Sequence, residues 1–368
     1  MADMTSRERM RAALSGEPVD RVPFFPCIYM DHACHATGRD FAEALSDPRL
    51  GVRAMLEANV MYGSDVVRVC ATPPRQWFEE KDVRWDGEYL VQMDRRSGKV
   101  EGRFDLLGGG RLIPTEPEEP VRTLARAAAI PYPSADALMD TGCMDVAREV
   151  TEEAHERGMF VVGMAGGQSI NTLVTQWGSP AEAMIALIEQ PELARKIMEA
   201  GTNASIELGN AFARIGVDGL YIGDSYASGS VISPKMYEAF CVPAYHRAAA
   251  AAHANGLLVY KHCCGNYNPL LPILKHERLN GMEGIDPTSG MSVAATKETL
   301  GGALCMIGGV SCLNLLQGTP ECVYAEARSC IEAGGTDGRY VLGSACAVPR
   351  FSPVENMHAF ARAALEQV

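Results

Sequence analysis

Short runs of apolar, often β-branched residues alternate along the chain with longer stretches whose apolar residues recur at helical spacing. This alternation is typical of a parallel sheet whose strands are connected by crossover helices. The segments that fit buried strands are 21–25, 65–69, 159–162, 219–222, 257–260, 281–285, 303–307 and 339–342. Eight such strands predict an α/β fold of the (β/α)8 TIM-barrel type, with residues 1–368 as one domain.

Capping signals predict where several helices begin. Thr5 followed by Glu8 opens an N-terminal helix that we expect to end near Gly16. Ser179 and Ser352 each precede a proline and lie three residues before a glutamate, which predicts two more capped helix starts.

The segment 83–113 departs from the helical alternation. Its residues alternate one by one around glycine-containing turns, which predicts an antiparallel hairpin inserted beside the barrel mouth. An open doubly wound sheet is the alternative architecture, and it requires a glycine-rich phosphate fingerprint after an early strand. Neither 108–110 nor 163–167 has that spacing, so the barrel is favoured.

Charge and composition exclude several classes of partner. The formal net charge of −13 argues against binding to nucleic acid, because no excess of Lys and Arg is present to neutralise phosphates. We find no run of about 18 apolar residues that would span a membrane and no apolar core of a secretory signal. The twelve cysteines are therefore expected to be reduced thiols in a cytoplasmic protein. Association into a homo-oligomer is compatible with the sequence.

Two predicted strands end in residues that bind metals. His262 and Cys264 follow one strand and Cys346 follows another, and strand ends of this kind meet at the mouth of a barrel. One imidazole and two thiolates suit Zn²⁺ with one position left open, as in catalytic zinc sites. The alternative is a core histidine with ordinary buried thiols. Strand alternation turns Cys263 away from this face, so we expect it to pack in the core.

Other polar and aromatic side chains also follow predicted strands. Asp224 is a candidate catalytic acid, zinc neighbour or hydrogen-bond acceptor for the substrate, with a helix cap as its alternative role. Asp286 is a candidate catalytic carboxylate that could fill the fourth zinc position while substrate is absent, with a structural turn as its alternative role. Candidates for substrate contacts are Gln168, Tyr226 and Asn266, for which a solvated loop, the core and a turn are the respective alternatives.

Trp177 and a small cluster after the first strand are weaker candidates for functional residues. Trp177 is a candidate wall for an aromatic ring, although a tryptophan at such a position more often packs in the core. Asp31, His32 and His35 follow the first strand, and a helix would place both imidazoles on one face. A second metal site there is disfavoured, because the sequence offers no further ligand nearby.

Five segments carry a resemblance to a known family: 7–23, 232–237, 262–266, 316–320, and Cys346 followed by 353–356. Over nearly its whole length the chain resembles the uroporphyrinogen decarboxylase superfamily, specifically its zinc-dependent, corrinoid-linked methyltransferase branch. The resemblance implies that His262, Cys264 and Cys346 bind Zn²⁺. It also implies that the corrinoid (cobalamin) arrives on a separate corrinoid protein, because the chain lacks an Asp-x-His-x-x-Gly motif.

The resemblance implies one of two directions of methyl transfer. Segments 223–228, 261–264 and 284–288 favour transfer from a small methoxylated, aromatic substrate to the Co(I) corrinoid of the partner. Zinc would then withdraw electrons from the ether oxygen. The alternative is transfer from a methylcorrinoid to a thiol such as coenzyme M, whose pKa zinc would lower, or to a folate.

A true uroporphyrinogen decarboxylase is the second alternative. The resemblance implies that such enzymes hold the carboxylates of a tetrapyrrole with an arginine-bearing motif after the first strand. In the corresponding segment 30–39 only Gly38 and Arg39 match, and Asp31 occupies the position of the first arginine. An aspartate there would repel the substrate's carboxylates, so decarboxylation is disfavoured.

Overall fold

The computed structural model describes residues 3–116, 118–166 and 169–366. Its strands are β1 (Phe24–Phe25), β2 (Val66–Val69), β3 (Lys81–Asp86), β4 (Tyr89–Asp94), β5 (Val100–Asp105), β6 (Arg111–Pro114), β7 (Phe160–Met164), β8 (Gly219–Gly223), β9 (Leu258–His262), β10 (Gly281–Ile285), β11 (Cys305–Val310) and β12 (Tyr340–Ser344). Within the described residues, eight parallel strands follow the order β1-β12-β11-β10-β9-β8-β7-β2 and form a nearly closed barrel. The predicted TIM barrel is confirmed.

The seam between β1 and β2 is joined by two hydrogen bonds at the amino ends of these strands. The backbone N–H of Asp65 donates to the carbonyl of Phe24 at 2.8 Å. The N–H of Phe24 donates in turn to Oδ2 of Asp65 at 2.7 Å. A carboxylate thus replaces part of the ladder between these two strands.

Helices surround the barrel. They are α1 (Ser6–Ser15), α2 (Met30–Thr37), α3 (Phe41–Ser46), α4 (Pro48–Met61), α5 (Arg75–Glu80), α6 (Leu124–Ala128), α7 (Ala135–Asp140), α8 (Asp145–Glu156), α9 (Ile170–Trp177), α10 (Pro180–Glu189), α11 (Pro191–Arg214), α12 (Pro234–Met236), α13 (Val242–Ala254), α14 (Leu271–Leu274), α15 (Val293–Leu300), α16 (Cys312–Gln317), α17 (Pro320–Gly334) and α18 (Val354–Leu365). A π-helical turn (Tyr237–Cys241) leads into α13, and 3₁₀ turns span Asn268–Leu270 and Pro287–Ser289. Among the described helices, none has the length and hydropathy needed to cross a membrane.

The capping signals predicted two of three helix starts. Helix α1 has the Thr5–Glu8 capping box and ends at Gly16, whose φ of 77° is the left-handed conformation that glycine adopts without strain. Ser179 caps α10 as expected. The prediction for Ser352 was wrong: α18 begins at Val354 and no side chain caps it.

Side chains along the barrel strands point alternately outward, into the core under the helices, and inward, into the core inside the barrel. Val259 on β9 and Cys263 just after it pack outward against the helices, as predicted for Cys263, whereas Tyr260 faces the barrel interior. Met10 and Leu14 of α1 pack against the interior side chains, so α1 closes the amino end of the barrel. The carboxyl ends of the strands are left as the place where polar side chains meet.

The insertion is an antiparallel sheet of the order β3-β4-β5-β6. Its antiparallel pairing agrees with the sequence pattern, but the described residues contain two more strands than the predicted hairpin. Nη1 of Arg350, in the loop after β12, donates to the carbonyl of Leu106 in the turn between β5 and β6 at 3.0 Å. This contact ties the inserted sheet to a loop on the carboxyl side of the barrel.

Candidate metal centre

The three predicted ligands converge. Sγ of Cys264 lies 3.6 Å from Nε2 of His262 and 3.7 Å from Sγ of Cys346. Sγ of Cys346 lies 3.6 Å from the same Nε2 atom. These residues are 84 positions apart at most, yet their ligand atoms form a nearly equilateral triangle.

The triangle has the dimensions of a zinc site. Zn–S bonds of about 2.3 Å and a Zn–N bond of about 2.0 Å at tetrahedral angles separate two sulfurs by roughly 3.8 Å and sulfur from nitrogen by roughly 3.5 Å. The observed separations of 3.6–3.7 Å agree with both values. The three residues therefore fit Zn²⁺ without rearrangement and leave the fourth tetrahedral position for a reactant.

Two strand ends place these ligands. His262 is the last residue of β9, and its carbonyl accepts a hydrogen bond of 3.0 Å from the N–H of Asp224 at the end of the neighbouring strand β8. After β12, the hydroxyl of Ser344 donates to the carbonyl of Cys346 at 2.6 Å. Both ligand-bearing turns are thus fixed by contacts of their own backbone.

The imidazole of His262 is oriented from behind by a carboxylate. Nδ1 of His262 lies 2.9 Å from Oε2 of Glu283, which forms a buried ion pair with Arg68. Burial raises the pKa of Glu283, but the Arg68 guanidinium and His262 outweigh this effect and bring the pKa to about 2. Glu283 therefore stays ionised and places its negative charge beside Nδ1, on the side of the ring opposite to the Nε2 atom that faces the cysteines.

The ligand atoms also influence each other's protonation. Burial lowers the pKa of His262, but Cys346 and Glu283 outweigh this effect and raise it to about 9. The contact between the two thiols lowers the pKa of Cys264. The same contact, together with burial, raises the pKa of Cys346 to about 12. Metal binding must remove the protons of both thiols, so zinc affinity should fall in acid.

The two predicted catalytic carboxylates are held by backbone amides. Asp224 is buried and accepts the N–H groups of Ile170 and Asn171 at 2.8 and 3.1 Å, at the start of α9. Burial raises its pKa to about 6. Asp286 accepts the N–H and hydroxyl of Thr288 in a tight turn. Among the described residues, neither carboxylate joins the ligand cluster.

The predicted substrate contacts lie in different surroundings. Asn266 accepts the N–H of Asn268 at 2.8 Å, the turn role weighed as its alternative. Tyr226 packs against the core and Trp177 is buried within it. Gln168 lies outside the described residues.

The cluster after the first strand is not a metal site in the described structure. His32 is buried, and its ring nitrogens lie 3.2 Å from the carbonyl of Arg350 and 3.3 Å from the hydroxyl of Tyr62. Burial lowers its pKa to about 4. Among the described residues, Asp31 and His35 form no ligand group with it.

Sequence reasoning missed Glu283 and Arg68. Both lie inside segments that were predicted as buried strands, where a charged side chain signals an ion-pair partner. That signal was present but did not identify the partner, because 215 positions separate the two residues. Tyr221, whose ring stacks on His262 with centroids 5.9 Å apart, was missed as well.

Comparisons with known proteins agree with the fold. A family model described as uroporphyrinogen decarboxylase (URO-D) matches residues 113–367. A methylated-thiol–coenzyme M methyltransferase of Methanosarcina mazei is 34% identical over 179 residues, which cover 48% of this chain and 45% of that protein. A methylcobamide:CoM methyltransferase of Methanosarcina barkeri is 25% identical over 99% of this chain and 98% of that protein.

A solved structure described as a methyltransferase from Methanosarcina mazei superposes with a TM-score of 0.74 at 24% identity. The superposition covers 99% of this chain and 99% of that one. At this identity the likeness supports the fold and carries no residue assignments.

Proposed function

The chain belongs to the uroporphyrinogen decarboxylase (URO-D) family, and we propose that within this family it is a zinc-dependent methyltransferase that moves a methyl group between a corrinoid and a small thiol. The corrinoid is proposed to arrive on a partner protein. Two relatives with coenzyme M in their names support the thiol as the small substrate.

The observation that carries this proposal is the His262–Cys264–Cys346 triangle with tetrahedral zinc spacing. Zinc held there would supply a Lewis acid that lowers the pKa of a thiol in the open position. The three side chains differ in exposure: His262 is buried, Cys346 is half-buried and Cys264 is exposed. A thiol would therefore approach from the side of Cys264.

The surrounding residues prepare this approach. The Glu283 carboxylate lies against Nδ1 of His262, and Tyr221 packs against the imidazole ring, so that the nitrogen ligand is held in one orientation. The transfer forms a sulfur–carbon bond and breaks the cobalt–carbon bond, leaves both electrons of that bond on cobalt, and releases the thiol proton. Such a displacement depends on alignment of the reacting atoms, which fixed ligands favour.

The other substrates considered from the sequence receive less support. No named relative in the comparisons points to a methoxylated aromatic donor, and Trp177, a candidate aromatic wall, is buried in the core. Arg39, which matches the decarboxylase motif, forms an ion pair with Glu57. A tetrapyrrole carboxylate would have to compete with Glu57 for this arginine.

The proposal is tested with methylcobalamin as methyl donor and coenzyme M as thiol acceptor. We expect the zinc-loaded protein to demethylate methylcobalamin, seen by its absorption spectrum, and to form methylated coenzyme M. Cys264→Ser and Cys346→Ser should each lose zinc and activity, whereas Cys322→Ser, which removes an exposed thiol on α17, should retain both. Methyl transfer from methoxyarenes to Co(I) cobalamin, with no transfer to thiols, would contradict the proposal.

A further inference from the structure

We infer that Arg68 is a positioning residue that holds both ligand-bearing turns of the metal centre in register, a role that rests on the proposed metal site. Arg68 lies on β2. Among the described residues, its hydrogen bonds and its ion pair go to Tyr260, Cys27 and Glu283, and not to the three ligand side chains. Its guanidinium instead reaches the His262 turn through Glu283, and the Cys346 turn through Cys27 and Ser344.

The first arm leads to the histidine ligand. Nη2 of Arg68 donates to Oε1 of Glu283, and the other oxygen of this carboxylate, Oε2, lies 2.9 Å from Nδ1 of His262. Glu283 is buried, so without Arg68 its charge would be left unpaired in the barrel interior. The carboxylate would then turn away, and His262 would lose the charged group that lies against its Nδ1 atom.

The second arm leads to the turn that carries Cys346. Nη1 of Arg68 donates to Sγ of Cys27, just after β1. The backbone N–H of Cys27 donates to Oγ of Ser344 at 3.0 Å, and this hydroxyl donates to the carbonyl of Cys346 at 2.6 Å. The segment after β1 is thereby connected to the end of β12.

The surroundings of the guanidinium allow little movement. Its carbon lies 4.8 Å from the ring centroids of Phe25 and Tyr221, and Nε and Nη2 donate to the hydroxyl of Tyr260 at 3.2 and 3.1 Å. The side chain is only 1% exposed. A lysine has no planar fork to reach Glu283, Cys27 and Tyr260 together.

Stability alone does not explain this arrangement. A buried ion pair contributes about as much as a well-packed apolar pair, because desolvation offsets the attraction. The interior of a barrel is commonly filled with branched apolar side chains. The partners of Arg68 here include groups that contact or adjoin His262 and Cys346, which indicates a role in the geometry of the metal centre.

The test compares Arg68→Met and Arg68→Lys with Arg9→Met in the full-length protein. Arg9 is also buried and paired with carboxylates, Asp20 and Asp65, but it lies on α1 at the amino end of the barrel. Zinc affinity is measured by competition with a chelating dye. The ligand field is read from the visible absorption of the Co²⁺-substituted proteins, and the fold from thermal unfolding.

We expect Arg68→Met to weaken zinc binding by about 10- to 100-fold, the usual effect of removing an outer-shell partner, and to alter the Co²⁺ spectrum. Arg68→Lys should also change the spectrum, because it keeps the charge but not the fork. Arg9→Met should lower the unfolding temperature and leave zinc affinity and the spectrum unchanged.

Unchanged zinc affinity and Co²⁺ spectra in folded Arg68 variants would overturn the inference. The proposed function would still stand in that case, provided that the wild-type protein binds zinc. A wild-type protein that binds no zinc would overturn both. Should both Arg68 variants fail to fold, Cys27→Ala serves instead, because it removes only the contact of Arg68 with Cys27 in the arm toward Cys346. A Co²⁺ spectrum identical to wild type in that variant would overturn the inference equally.

Discussion

The two ends of the barrel both contain buried charged groups, but they use them differently. At the amino end, Asp65 accepts from Arg9, from both Nη atoms of Arg21 and from the N–H of Phe24, at 2.7–2.9 Å. At the carboxyl end, the ligand atoms of His262, Cys264 and Cys346 point at a common centre, with separations of 3.6–3.7 Å.

The difference shows what distinguishes a structural cluster from a reactive one. Asp218 at the amino end likewise accepts from Arg7, Arg11, His155 and the N–H of Val161. Such saturated carboxylates tie α1 to the strands and have little capacity left for a ligand. The sulfur and nitrogen atoms at the carboxyl end retain lone pairs that converge, which is the requirement for binding a metal.

The largest expected effect comes from removing both thiols at the carboxyl end. Cys264→Ser/Cys346→Ser leaves His262 as one ligand, so most of a zinc-binding free energy of about 10 kcal/mol or more should be lost. We expect stoichiometric zinc in the wild type and none in the double variant after dialysis. Cys263→Ala, a change at the intervening buried residue, is the matched control and should retain zinc. Zinc retained by the double variant would contradict the assignment of a metal site to the carboxyl end of the barrel.

Breaking the network at the amino end should have the opposite signature. Asp65→Ala leaves Arg21 and the N–H of Phe24 without their carboxylate and should lower the free energy of unfolding by about 3–5 kcal/mol. Chemical denaturation of the zinc-loaded protein measures this loss. Zinc affinity should remain within about twofold of wild type. A large fall in zinc affinity in the folded variant would show that the two ends are coupled.

A buried histidine outside both clusters sharpens the comparison through its pH dependence. Burial depresses the pKa of His32 from 6.5 to about 4, so the unfolded chain takes up a proton before the folded one as the pH falls. The free energy of unfolding therefore contains the full contribution of His32 above pH 6.5. As the pH falls from 6.5 to 4 this contribution is lost, which lowers the free energy of unfolding by up to about 3 kcal/mol.

His32→Gln should accordingly flatten the dependence of unfolding free energy on pH across this window and leave zinc affinity unchanged. Denaturation curves of both proteins at several pH values give the comparison. Parallel pH profiles for wild type and variant would contradict the neutral, buried state assigned to His32.

The smallest expected effect belongs to Asp286. Because its carboxylate is engaged by Thr288 in a turn, Asp286→Ala should cost about 1 kcal/mol of stability, the usual cost of losing a cap. Zinc affinity should not change. A marked loss of zinc would instead support the fourth-ligand role that was considered from the sequence.

The barrel strands were predictable because strands buried on both faces form continuous apolar runs. The convergence of His262, Cys264 and Cys346 was predictable because the first two lie at the end of such a run and Cys346 follows another. For Asp224 and Asp286 the sequence left a functional and a structural role open, since position after a strand does not reveal whether a backbone amide engages the carboxylate. The pairing of Arg68 with Glu283 depends on how the closed barrel brings β2 and β10 to one interior, which no local pattern encodes.

X-ray absorption at the zinc edge of the purified protein tests the central claim most directly. The account predicts two sulfur ligands at about 2.3 Å, one imidazole nitrogen at about 2.0 Å, and one light-atom ligand that a thiol replaces with a third sulfur. A shell of oxygen and nitrogen alone, or one that does not change when thiol is added, would contradict it.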